Sequence, residues 1–198
     1  MQRHPKVWVA DDDSSIRWVL ERALNQAGID NESFADADEL LRQIANERPD
    51  VIISDIRMPG TDGLELLSRI SESYPELPVI ITTAHSDLDS AVASYQQGAF
   101  EYLPKPFDLD EVIAITERAL AHTREKHGKT APAQELPRTE IIGEAPAMQE
   151  VFRAIGRLSQ SHITVLINGE SGTGKERVAE ALHQHSPRRA QPFIALNM

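Results

Sequence analysis

The chain has 198 residues, 40% of them hydrophobic, which allows one domain or two small ones with real cores. It contains no cysteine, which excludes a disulfide framework and a cysteine-ligated zinc site. A formal charge of −11 offers no basic footprint for nucleic acid, and its longest apolar runs fall far short of the ~20 residues of a membrane span.

The N-terminal residues lead straight into a short apolar strand with no signal-peptide pattern, so a cytoplasmic protein with no membrane partner is expected. Regular alternation follows. Short strands are predicted over residues 7–10, 31–34, 51–54, 79–82 and 101–103. Helices are predicted over 14–27, 36–46, 64–73, 87–97 and 109–123. Gly28 and Gly98 stand where C-terminal caps belong, and Asp108 with Glu111 makes a capping-box-like start. Five strands alternating with five helices predict an α/β fold, a parallel sheet covered on both faces. Leu88, Val92 and Tyr95 share one face of the fourth helix, which serves equally as core or as a signalling surface.

Residues 124–139 carry a single large apolar side chain, Leu136, with Gly128, Pro132 and Pro137, and read as a linker. Charge divides there as well. Residues 1–123 hold 10 Lys and Arg against 23 Asp and Glu, whereas 124–198 hold 10 against 8. No aspartate follows Asp110. The expected domains are therefore 1–123 and 140–198.

In open α/β sheets ligands sit beyond the carboxyl ends of the strands. Asp11, Asp12 and Asp13 follow the first strand, Asp55 the third, Thr83 the fourth and Lys105 the fifth. Each has a bland explanation alone: a helix cap, a turn residue, a solvated charge. Together they are chemically complementary and converge on one rim. Three carboxylates, Asp11, Asp12 and Asp55, outweigh the single ammonium of Lys105, which calls for a hard divalent cation such as Mg²⁺. A carboxylate left free could attack phosphorus, with Thr83 and Lys105 stabilising charge on the phosphoryl oxygens.

The strings VADDDSSIR, VIISDIRMPGTDG, VIITTAH and EYLPKPF resemble the receiver domain of two-component response regulators across residues 5–122. The resemblance implies a five-stranded flavodoxin-like sheet of order 2-1-3-4-5. It implies that Asp55 accepts a phosphoryl group from a sensor histidine kinase, and that Asp11, Asp12, Asp55 and the Arg57 carbonyl hold Mg²⁺. Thr83 and Lys105 would contact the phosphoryl group, Tyr102 would be the aromatic switch partner of Thr83, and Asp13 would be auxiliary. The Lys105–Pro106 bond is expected to be cis.

Beyond the linker, residues 163–168 read as a buried strand, followed by Gly169, Glu170, Ser171, Gly172, Thr173, Gly174, Lys175 and Glu176 and then a helix to about His185. That order suits a phosphate-binding loop, in which glycines turn backbone N–H groups toward phosphates and Lys175 reaches the β and γ oxygens. Glu176 stands where the usual pattern has Ser or Thr. The loop, with IIGEAPAMQEVFRAIGRLS before it and PFIALNM after, resembles the Walker A region of sigma-54-dependent activators, a branch of the AAA+ ATPases. The resemblance implies ATP as ligand with residues 141–143 near the adenine. It also implies sigma-54 RNA polymerase and DNA as partners of a complete protein and self-association as a dimer or oligomer. The receiver strings VWVADDDSSIRWVLERAL and TAHSDLDSAVASYQQGAFEYLPKPFD, joined to this module, resemble the nitrogen-regulation response regulators and imply control of nitrogen-assimilation genes. With no acidic strand end after Lys175 to serve as Walker B, this chain is expected to end within the module and not to hydrolyse ATP.

Two other functions compete. An aspartate-nucleophile phosphatase of the haloacid dehalogenase type would use the same residue types, but Ser14 and Ser15 break its motif after Asp11 and Asp13, and Asp55 would have no role. A free-standing receiver acting as an interaction module would leave the glycine-rich loop idle.

Overall fold

The computed structural model describes residues 5–84, 88–127, 146–159, 161–170 and 172–195. These group into two compact units, one drawn from residues 5–84 and 97–127, the other from 88–96 and 146–195.

The first unit contains the strands β1 (Lys6–Ala10), β2 (Asp30–Phe34), β3 (Val51–Asp55), β4 (Val79–Thr83) and β5 (Glu101–Pro104). All pair in parallel in the order β2-β1-β3-β4-β5, as the resemblance implies. Parallel strands cannot be joined by tight turns, so intervening helices carry the chain back: α1 (Ser14–Gln26) follows β1, α2 (Ala37–Ile44) follows β2 and α3 (Gly63–Ser73) follows β3. Strands buried on both faces explain the unbroken apolar runs. Val51, Ile52 and Ile53 are all buried, as are Val79, Ile80 and Ile81. Val7, Val9 and Ile53 join Leu20 and Leu24 of α1 and Val112, Ile115 and Ala119 in one core cluster. Trp8, of opposite parity in β1, is equally buried and packs on Phe34 with ring centroids 5.0 Å apart.

Local chemistry sets the helix starts. Asp13, Asp36 and Asp62 precede α1, α2 and α3, and each carboxylate accepts a hydrogen bond from an amide of the first turn. Asp108 does the same for the amide of Asp110. Gly28 and Gly98 have the positive φ expected of helix ends. Helix α5 (Leu109–His127) runs four residues beyond its predicted end, so the linker's first residues, 124–127, are helical; residues 128–139 lie outside the described set.

The second unit contains α4 (Leu88–Gln96), α6 (Pro146–Leu158) and α7 (Lys175–Gln184). Val92 of α4 forms a small core with Val151 and Ile155 of α6, flanked by Val178, Ala181 and Leu182 of α7. Arg157 lies over the Tyr95 ring, 5.9 Å from its centroid. The helix that the sequence places in the first domain thus packs into the second unit's core. The predicted strand at 163–168 does not form. Ile163, Val165 and Leu166 are 65%, 39% and 82% exposed, and no neighbour among the described residues supplies a ladder. An apolar run becomes a strand only when another strand satisfies its backbone. Among the described residues no helix is long and apolar enough to cross a membrane.

Candidate functional site

The register of the sheet places the predicted residues. Ala10 pairs with Ser54, Asp55 with Thr82 and Thr83 with Pro104, so Asp11, Asp55, Thr83 and Lys105 all leave the sheet at its carboxyl edge. Residues 94 positions apart meet there. Lys105 Nζ donates to Asp11 Oδ2 at 2.7 Å and lies 2.8 Å from Asp55 Oδ1. The Lys105–Pro106 peptide bond is cis.

Each carboxylate is also fixed by main chain. Asp11 Oδ1 accepts from the amide of Asp13 at 2.9 Å, and Asp55 Oδ2 accepts from the amide of Arg57 at 3.0 Å. Asp55 Oδ1 is buried, and its one contact among the described residues is the Lys105 ammonium 2.8 Å away. Burial pushes the Asp11 carboxyl above its ordinary range, against the opposing hydrogen bond from Lys105. Burial works to lower Lys105, but the hydrogen bonds and charges of Asp11 and Asp55 outweigh it and hold the ammonium above its ordinary value.

Asp12 is exposed, and Asp13 is occupied as the N-cap of α1, its carboxyl lowered first by the backbone hydrogen bond from Ser15. Thr83 is buried, and its carbonyl accepts from the amide of Lys105 at 2.6 Å. Tyr102 is fully buried in β5. No three of His, Cys, Asp and Glu among the described residues converge on one ion position. The donor set still suits Mg²⁺: two hard carboxylates with an under-bonded buried oxygen and a third carboxylate on the adjoining loop.

Two contributors escaped sequence reasoning. Gly63 opens α3 with its amide donating to the Ile56 carbonyl at 2.8 Å, and a Cβ there would stand 2.0 Å from the Asp55 carbonyl oxygen. The spacing Asp55 to Gly63 carries no general signal for that approach. Arg17 Nη1 donates to the carbonyls of Asp11 and Asp12 at 2.6 and 3.1 Å, and main-chain contacts leave no residue pattern to read.

In the second unit, Gly172 and Gly174 adopt φ of 83° and 84°, and α7 starts at Lys175. Lys175 Nζ donates to the carbonyls of Gly169 and Glu170 at 2.7 and 2.5 Å. Thr173 Oγ1 donates to the Glu170 carbonyl at 2.8 Å, and Glu176 lies exposed in the first turn of α7. Ser171 and residues 141–143 lie outside the described set. Nothing stands within 4 Å of a Cβ placed on Gly172 or Gly174, so both glycines border open space.

Residues 7–117 match the response regulator receiver domain, and residues 141–198 match the sigma-54 interaction domain. The DNA-binding transcriptional regulator NtrC of Escherichia coli is 65% identical over 97% of this chain and 41% of its own length. That of a Bradyrhizobium strain is 45% identical over 97% and 40%. The chain thus spans about two fifths of the length of the curated relatives it matches. Among solved structures, the apo receiver domain of nitrogen regulatory protein C is 62% identical with a TM-score of 0.57, covering 63% of this chain and all of that one. NtrX from Brucella abortus in complex with ATP is 32% identical with a TM-score of 0.60, covering 98% of this chain and 43% of that one.

Proposed function

Because the chain belongs to the response regulator receiver family, we propose that Asp55 accepts a phosphoryl group from the phosphohistidine of a sensor histidine kinase. The observation that carries this reading is the Lys105 ammonium held 2.7 and 2.8 Å from two buried carboxylates that end adjacent strands. An Asp55 carboxylate oxygen bonds to phosphorus as the donor's phosphorus–nitrogen bond breaks and imidazole leaves. Asp11, Asp12 and Asp55, with the Arg57 carbonyl, would hold Mg²⁺, which when bound neutralises charge on the phosphoryl oxygens.

Lys105 exchanges its contact with Asp55 for one with the new phosphoryl group, and the Thr83 hydroxyl turns toward the same oxygens. Tyr102 follows Thr83, and the population shifts toward an active arrangement. In a complete protein this switch would control sigma-54-dependent transcription of nitrogen-assimilation genes, acting as a dimer or oligomer on DNA with sigma-54 RNA polymerase. That output rests on the match at residues 141–198 and on the names of the relatives. The loop from Gly169 to Glu176 would bind the phosphates of ATP through its amides and Lys175. A haloacid dehalogenase-type nucleophile after β1 finds no support here, since Asp13 is spent on capping α1 and Asp55 shares the lysine.

The test is labelling by a small phosphodonor with Mg²⁺. The wild-type chain should form an acyl phosphate that hydroxylamine or alkali cleaves, and Asp55→Asn should form none. Full labelling of Asp55→Asn would refute the assignment.

A further inference from the structure

Arg17 sits one turn into α1, half-buried, and both of its side-chain hydrogen bonds among the described residues go to main chain rather than to a carboxylate. One nitrogen, Nη1, takes the consecutive carbonyls of Asp11 and Asp12. The same short stretch is tied at other points: the Asp11 amide donates to the Phe34 carbonyl, the Asp13 amide to Asp11 Oδ1, and the Arg17 amide to the Asp13 carbonyl. Asp11 is additionally held by Lys105. Asp12 is not. Among the described residues its exposed carboxylate has only the peptides on either side to set its direction, and the guanidinium grips the carbonyl of each.

We propose that Arg17 is a positioning residue for the cation: it fixes the backbone that aims the Asp12 carboxylate. The inference rests on the reading that Asp11 and Asp12 hold Mg²⁺. A guanidinium suits the task because its charge is permanent and its planar shape keeps a fixed direction toward two acceptors, which an ammonium on a flexible stem does not. The charge also lies behind the acidic loop, so a purely electrostatic role has to be separated from a geometric one.

Mg²⁺ binding to the full chain, followed by backbone amide chemical shifts without any phosphodonor, makes that separation. Arg17→Ala should weaken Mg²⁺ affinity about tenfold, as loss of an outer-shell partner does. Arg17→Lys, which keeps the charge, should recover only part of it. In labelling by a small phosphodonor, the Mg²⁺ midpoint should move by the same factor and saturating Mg²⁺ should restore the wild-type rate.

A wild-type midpoint in Arg17→Ala, or full recovery in Arg17→Lys, would overturn the inference. So would a lowered maximal rate at an unchanged midpoint, the mark of a merely structural role. A wild-type chain whose amides ignore Mg²⁺ would overturn the cation reading, and the inference with it, whereas the preceding outcomes leave that reading standing.

Discussion

Lys105 reaches two buried carboxylates across the ends of paired strands, whereas Lys175 reaches two carbonyls of its own loop six and five residues back. The first arrangement is non-local. It depends on the register of β1, β3, β4 and β5, and a slip of one residue in any ladder would turn one of the site's side chains away from the rim. The second is local, set by left-handed glycines and the start of one helix. A site assembled by a sheet is preformed and shares its stability with the core. A loop site can be altered residue by residue with little consequence for the fold around it.

The largest expected effect tests that difference through two glycines. Gly63→Ala would drive a methyl group to 2.0 Å from the Asp55 carbonyl oxygen and 2.8 Å from the Ile56 Cα, all backbone, so α3 or the phosphoacceptor itself has to move. The cost should be about 3 kcal/mol, read as a drop in the urea midpoint of the first unit, with labelling of Asp55 impaired in the folded fraction. Gly172→Ala meets no atom within 4 Å and is strained only by its positive φ, at about 1 kcal/mol. Equal costs at the two positions would erase the distinction.

The next effect comes from the lysines. Lys105→Ala leaves Asp11 and Asp55 buried without their cation and should lower stability by about 2 kcal/mol, less than a fully enclosed pair because the rim is open. Added Mg²⁺ should return part of it. Lys175→Ala only frees carbonyls that water can reach, and its unfolding midpoint should match the wild type within about 0.5 kcal/mol. Urea titrations with and without Mg²⁺ check both arms.

The same distinction explains what could be read in advance. Parallel strands buried on both faces announce themselves as apolar runs, and their carboxyl ends are where ligands gather, so Asp11, Asp55, Thr83 and Lys105 were legible from position alone. Helix boundaries were legible where an aspartate or glycine caps them. The run at 163–168 is about as apolar as β3 but has no ladder partner among the described residues, and composition cannot say whether a partner exists. The second unit's use of Val92 was also hidden, since a helical face of Leu88, Val92 and Tyr95 reads equally as core or as signalling surface and names no neighbour. Met148, Val151, Phe152 and Ile155 do carry a helical period, and that signal would have found α6. Arg17 left none, because a side chain that bonds carbonyls depends on backbone shape alone.

A third lysine gives the smallest expected effect. Lys6 stands at the start of β1, the end opposite the site, and its ammonium lies 2.8 Å from both Glu32 and Glu47. The geometry rivals that of Lys105, yet the side chain is 23% exposed and its partners 37% and 44%, so solvent screens most of the attraction. Lys6→Met should cost only about 0.5 kcal/mol, and less in high salt. The hydrogen bonds with Glu32 and Glu47 raise the Lys6 pKa above its ordinary 10.5. A raised cation pKa means the folded state holds the proton more tightly than the unfolded one. The contribution is therefore fully present below 10.5 and disappears as pH climbs through the folded value. Wild type and Lys6→Met should differ by a constant amount between pH 7 and pH 10 and converge above that. If the difference instead matched that of Lys105→Ala at neutral pH, burial would not be what separates the two ends of the sheet.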